Sequence, residues 1–134
     1  MPTRSLHTSV LRWPDVAAVD AAVRSWSARA VREQRELVRL GYFGSYATGR
    51  WGVGSDLDLV AVVTGSPRPF HERGRTWDLT DLPVPAEILV YTDPEWQAVL
   101  ARGDRVARVM RDEVVWVVVR AYQQGVSESA PPGR

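Results

Sequence analysis

Val16, Val19, Val23, Trp26, Ala30 and Val31 recur three to four residues apart, with arginines and acids between them. That is the stripe of an amphipathic helix. It predicts a helix over residues 13–37, with Pro14 in the first turn and Asp15 near the positive helix end. The pattern then shortens. "LVRLGYFG" (37–44) is a compact apolar run ended by glycine, and reads as a strand. "SYATGR" reads as one helical turn with Ser45 as its N-cap. "DLDLVAVV" (56–63) and "PAEILVYT" (85–92) are two further strands. Between them, residues 64–83 are rich in turn formers and charge, which predicts a loop with one short helix. "DPEWQAVLARG" predicts a helix capped by Asp93, with Pro94 at its first position and Gly103 ending it. "DRVARVMRDE" is a further helix candidate. "VVWVVVR" is a final strand or a buried helical end.

Strands alternating with helices predict an α/β (α+β) architecture, a small mixed sheet flanked by helices. A length of 134 residues fits one domain, and 45% apolar with 25% charged residues is ordinary for a soluble globular protein. The predicted organisation is an N-terminal arm at 1–12, a domain at 13–122 and a flexible tail at 123–134.

Charge and composition narrow the chemistry. A net charge of +1 with no basic tract speaks against nucleic acid as a partner. All 17 basic residues are arginine, so any basic contact to phosphate comes from arginine and Schiff-base chemistry has no lysine. With no cysteine, disulfides, thiolate catalysis and zinc–thiolate sites are excluded. The N-terminal stretch has no apolar core of signal-peptide length, and "VVWVVV" (114–119) is too short to span a bilayer. The expectation is a cytoplasmic protein with no membrane partner.

Asp56 and Asp58 are the positions that need explaining. Aspartate is depleted in strands and costly to bury. Two residues apart on a strand, both project to one face, with Cα atoms about 6–7 Å apart. Two carboxylates side by side raise one another's pKa, and a divalent cation relieves the repulsion. Magnesium, which takes oxygen ligands and substrate phosphates together, suits such a pair. Upstream, Gly44 and Ser45 follow a strand and open a turn. Outward backbone amides there would form a phosphate site, Gly44 permits close approach, and the Ser45 hydroxyl and Arg50 could reach the same anion. A phosphate cradle beside a carboxylate pair is what phosphoryl or nucleotidyl transfer requires.

Gly44-Ser45, ten residues, then Asp56-Leu57-Asp58 with apolar residues after it resembles the signature of the DNA polymerase β-like nucleotidyltransferase superfamily. "FGSYATGRWGVGSDLDLVAVV" is most similar to its minimal, single-domain members (minimal nucleotidyltransferases, MNT). A weaker likeness runs from "LRWPD" to "MRDEVVWVV". The resemblance implies a polymerase β palm-like fold and Mg-dependent transfer of a nucleoside monophosphate from an NTP, ATP foremost, to an acceptor hydroxyl. It implies two magnesium ions held by Asp56, Asp58 and a third carboxylate from a neighbouring strand, best matched by Glu87, with Gly44, Ser45 and Arg50 on the nucleotide. Minimal members often act as the antitoxin of a small helical HEPN partner, which implies a protein acceptor. A catalytically degenerate partner-binding antitoxin and a small-molecule adenylyltransferase stand as alternatives, and a homodimer is open. Two departures are visible: Thr48 stands where the family usually has arginine, and Glu87 where aspartate is common.

Other residues have plainer readings. Asp78 and Asp81 are rival third acids in a turn-rich segment. His7 and His71 read as surface residues. The six tryptophans read as core or interface, Trp51 alone being placed to stack on a base. Trp116 reads as core, within a run that could also serve as a partner surface.

Overall fold

The computed structural model describes residues 13–120, so the arm at 1–12 with His7, and the tail at 123–134, lie outside the described residues. Helix α1 spans Val16–Glu33. Its buried residues Val19, Val23, Trp26, Ser27 and Ala30 keep helical spacing. Pro14 falls just outside the helix rather than in its first turn. Asp15 is the N-cap, its carboxylate accepting from the Ala18 amide at 2.9 Å.

Strand β1 (Leu37–Phe43) leads into the four-residue helix α2 (Ser45–Thr48), and β2 covers Leu57–Val63. The 64–83 segment holds helix α3 (Phe70–Arg73) and one 3-10 turn (Gly74–Thr76). Strand β3 is Ala86–Thr92, helix α4 Asp93–Ala101, helix α5 Arg105–Asp112, and β4 Val115–Val119. The last segment is therefore the strand of its two readings. Thr92, not Asp93, caps α4. Its hydroxyl accepts from the Glu95 amide while the Glu95 side chain accepts from the Thr92 amide, a reciprocal pair that Asp93, one residue too late, cannot form.

The sheet order is β3-β2-β1-β4. β1 is antiparallel to β2 and β4, and β2 is parallel to β3, which makes the sheet mixed. Period-two alternation splits the core into two layers. Leu57, Leu59, Ala61 and Val63 face α1 with Val19, Val23 and Trp26. Val60 and Val62 face α4 and α5 with Trp96, Val99 and Met110. Trp96 packs edge-on against Trp116, ring centroids 5.6 Å apart, so both belong to this second layer. Gly41 lies where β1 shifts register against β4. A Cβ there would meet the Val115 carbonyl oxygen at 2.6 Å, so only glycine lets β4 approach.

Candidate functional site

The alternation that buries Val60 and Val62 under α4 and α5 carries Asp58 to the same face, at the end where β2 begins. Parallel register pairs Asp58 with Glu87, and antiparallel register pairs it with Phe43, the last residue of β1. Paired residues on adjacent strands project to one side about 4.8 Å apart. Asp56 lies two residues before Asp58, just outside the strand and exposed. Glu87 is exposed and Asp58 half-buried. Burial holds the Asp58 carboxyl above the usual aspartate range, and the negative charges of Glu87 and Asp56 push it the same way. Asp58 therefore senses both of its acidic neighbours. They stand in a row rather than around one point: among the described residues, no three His, Cys, Asp or Glu side chains form a ready metal cluster.

Gly44 joins this row to the turn above it. Its backbone has φ 80° and ψ −151°, a region that only glycine adopts readily. A Cβ built on it would fall inside the contact distance of Asp58 Oδ2. The glycine thus serves two ends. It turns the chain from β1 into α2, and it leaves the space in which the Asp58 carboxylate rests. Gly44, not Ser45, is the N-cap of α2. The turn needs an unusual ψ before the first helical residue, and Ser45 is that first residue, with no side-chain cap bond formed. The Thr48 hydroxyl donates back to the Gly44 carbonyl at 3.2 Å, so it braces the turn from within.

A cleft of about 540 Å³ opens beside Gly44 and Ser45. Phe43, Leu89 and Tyr91 line it from the sheet, and Val106, Val109 and Met110 from α5. Thr48 and Arg50 line it from the turn, and Arg102, Arg105 and Glu113 from the far side. A volume of this size suits a nucleotide. A second, shallower groove of about 340 Å³ lies on the other side of Leu89, lined by Glu87 with His71, Arg75 and Leu79. The acid row therefore stands between two concavities.

The structure thus brings Gly44, Ser45, Asp58 and Glu87 to one region, with Asp56 at its edge and Arg50 on the cleft wall. The rival acids go elsewhere. Asp78 and Asp81 pair with Arg29 of α1, at 3.6 and 2.6 Å. One face of the Trp51 ring stacks on Tyr46, centroids 5.8 Å apart and nearly parallel. His71 is exposed, as expected, and faces the Glu87 groove. Arg102 and Arg105 carry no motif and were legible only as arginines around a helix start. Spacing alone does not reveal that α5 lies over the sheet.

A sequence profile described as a nucleotidyltransferase domain matches residues 25–113, well over half of the chain. The chain belongs to that family and is a nucleotidyltransferase, and its mixed four-stranded sheet flanked by helices is the family's fold. A candidate nucleotidyltransferase from Sulfolobus solfataricus has a similar structure: TM-score 0.54, 17% identity, 75% of this chain and 80% of that one covered. Two chains of toxin–antitoxin structures align more loosely. One, with AMP-PNP, has TM-score 0.48 and 15% identity; the other, an MntA–HpeT mutant, has 0.49 and 12%. Each alignment covers 72% of this chain and 73% of the other. No curated protein sequence matches the chain. No described helix is long and apolar enough to cross a membrane.

Proposed function

We propose that this nucleotidyltransferase moves a nucleoside monophosphate from a magnesium-bound NTP, ATP foremost, to a hydroxyl on a small helical HEPN-type protein, as the antitoxin of such a pair. The observation that carries the site is the seating of Asp58 against Gly44, which sets the phosphate turn and the acid row in contact. The donor set fits the metal. Asp56, Asp58 and Glu87 offer only hard carboxylate oxygens, and the Asp58 carboxyl is raised first by burial and then by the charges of Glu87 and Asp56, which a cation would offset. Bound there, magnesium would neutralise charge on the triphosphate and its leaving group.

The chain's own residues do the rest. The Gly44–Ser45 turn holds phosphate oxygens with its amides and the Ser45 hydroxyl. Arg50 adds a positive charge from the cleft wall. The acceptor hydroxyl enters from the Glu87 groove, and its oxygen bonds to the α-phosphorus as the bond to pyrophosphate breaks. Glu87, exposed at the mouth of that groove, takes the hydroxyl proton.

Thr48 favours a second reading, a partner-binding antitoxin that no longer transfers, because position 48 of the turn carries no cation. ATP labelled at the α-phosphorus separates the two. Label should pass, with Mg²⁺, from ATP to a co-purified helical partner, and an Asp56→Asn/Asp58→Asn variant should transfer none while still binding the partner. Partner binding without label transfer by the wild type would leave the second reading.

A further inference from the structure

We propose that Arg105, flanked by Arg102 and Arg50, binds the nucleotide's polyphosphate in the 540 Å³ cleft and supplies the positive charge that the turn lacks at Thr48. The inference rests on the nucleotide-transfer reading and names residues that reading does not use.

Position is the first ground. Arg105 lies far along the chain from Ser45, yet both line one cleft. The cleft opens at Gly44, against which the Asp58 carboxylate rests. A polyphosphate in it would run from the acid row toward the arginines.

Charge is the second ground. Three arginines and one glutamate line this cleft, in a molecule whose net charge is only +1. The glutamate, Glu113, already has Arg108 at 3.5 Å. Arg102 is held by Asp104 at 2.9 Å. Arg105 has no carboxylate within ion-pair distance among the described residues, whereas Arg24, Arg29, Arg73, Arg102 and Arg108 all do. Arg50 on the cleft wall shares this, so two of the three lining arginines keep their charge uncompensated among the described residues.

Local preference is the third. Arg105 is the first residue of α5, directly after the cap Asp104. A helix start favours acids, and a cation there opposes the helix dipole. The first turn of α5 holds no acid. The helix end is already capped by the Asp104 carboxylate, which accepts from the Ala107 amide at 2.9 Å, so helix stability gives no reason for Arg105, whereas an anion in the cleft would meet its guanidinium. The other lining residues fit the same occupant. Leu89, Val106, Val109 and Met110 give an apolar slot for sugar and base, and the arginines give it positive charge.

Calorimetric titration of the full chain with ATP and with AMP, both with Mg²⁺, tests the assignment. Arg105→Ala should weaken ATP about tenfold or more, the loss expected for a charge-assisted contact, and AMP by less than about threefold. Arg105→Lys should recover part of it. Arg32→Ala removes the same charge on α1, across the sheet, and should bind as the wild type does. Equal affinity of Arg105→Ala and wild type for ATP would overturn the assignment and leave the nucleotide reading standing. Equal losses for AMP and ATP would also overturn it. A wild type that binds no nucleotide would overturn both. Arg105 is exposed, so an unchanged melting temperature checks that the variant folds.

Discussion

One glycine carries the residue-scale argument. Gly44 combines a φ of 80° with a Cα that touches the Asp58 carboxylate space. A Gly44→Ala substitution should cost about 1–3 kcal/mol for the backbone alone. It should also push Asp58 aside, so nucleotide affinity should fall further than stability. Thermal melting and calorimetry on one preparation would show both. Asp58 itself should trade stability for function. Its folded pKa is raised above the ordinary 3.8, so between those two values the native state binds more protons than the unfolded chain. Stability contributed by this group therefore falls as pH rises through that window. Asp58→Asn removes the term. At pH 7 without metal it should melt no lower than wild type, and it should lose magnesium-dependent ATP binding. A lower melting temperature would mean the carboxylate stabilises the fold instead.

At the scale of elements, a buried arginine ties the 64–83 segment to β3 and α4. Arg73 is buried. Its guanidinium donates to both Glu95 carboxylate oxygens, at 2.6 and 3.1 Å, and to the Val90 carbonyl at 3.0 Å. Glu95 also accepts from the Thr92 amide in the capping pair of α4. The Arg73 hydrogen bonds, aided by the Thr92 amide, pull the Glu95 carboxyl down to about 2. A depressed carboxylate adds stability that is fully present above the unfolded value of 4.5 and is lost as pH falls through about 2. Acid unfolding should therefore draw protons in that window, and Glu95→Gln should flatten it. At pH 7 the same variant leaves Arg73 buried with a weaker partner. The Glu95 side chain is 42% exposed, so solvent screening limits the loss to roughly 1 kcal/mol.

For the whole molecule, the last strand completes the sheet. Among the described residues β4 pairs only with β1, and the Arg120 amide donates to the carbonyl of Val38, far back along the chain. Trp116 closes the second core layer on Trp96. A chain ending at residue 113 retains the acid row, the Gly44 turn and Arg105. It should nonetheless lose cooperative unfolding, because β1 would keep an unpaired edge and the second layer would open. Calorimetry of the truncated chain reads this directly. A single sharp transition near the wild-type temperature would show that β4 is dispensable.

Local patterns determined much of this protein. Apolar runs and period-3.6 spacing placed three strands and the long helix, because burying one face imposes that spacing wherever the element lies, and left the last segment open between a strand and a helical end. The Gly-Ser turn and the Asp-x-Asp spacing pointed to phosphate and carboxylate chemistry, since both depend on backbone geometry only a few residues long. Caps were read less well. Thr92 and Gly44 took positions expected of Asp93 and Ser45, because a cap depends on one dihedral angle and a reciprocal bond rather than on residue type. The choice among Glu87, Asp78 and Asp81 was a matter of pairing. Parallel register put Glu87 beside Asp58, and α1 drew the two aspartates to Arg29. The cleft, with Arg102 and Arg105 facing Ser45, exists only because α5 packs over the sheet. Contacts between residues sixty apart leave no periodic trace in a chain; they follow from how its buried faces find one another.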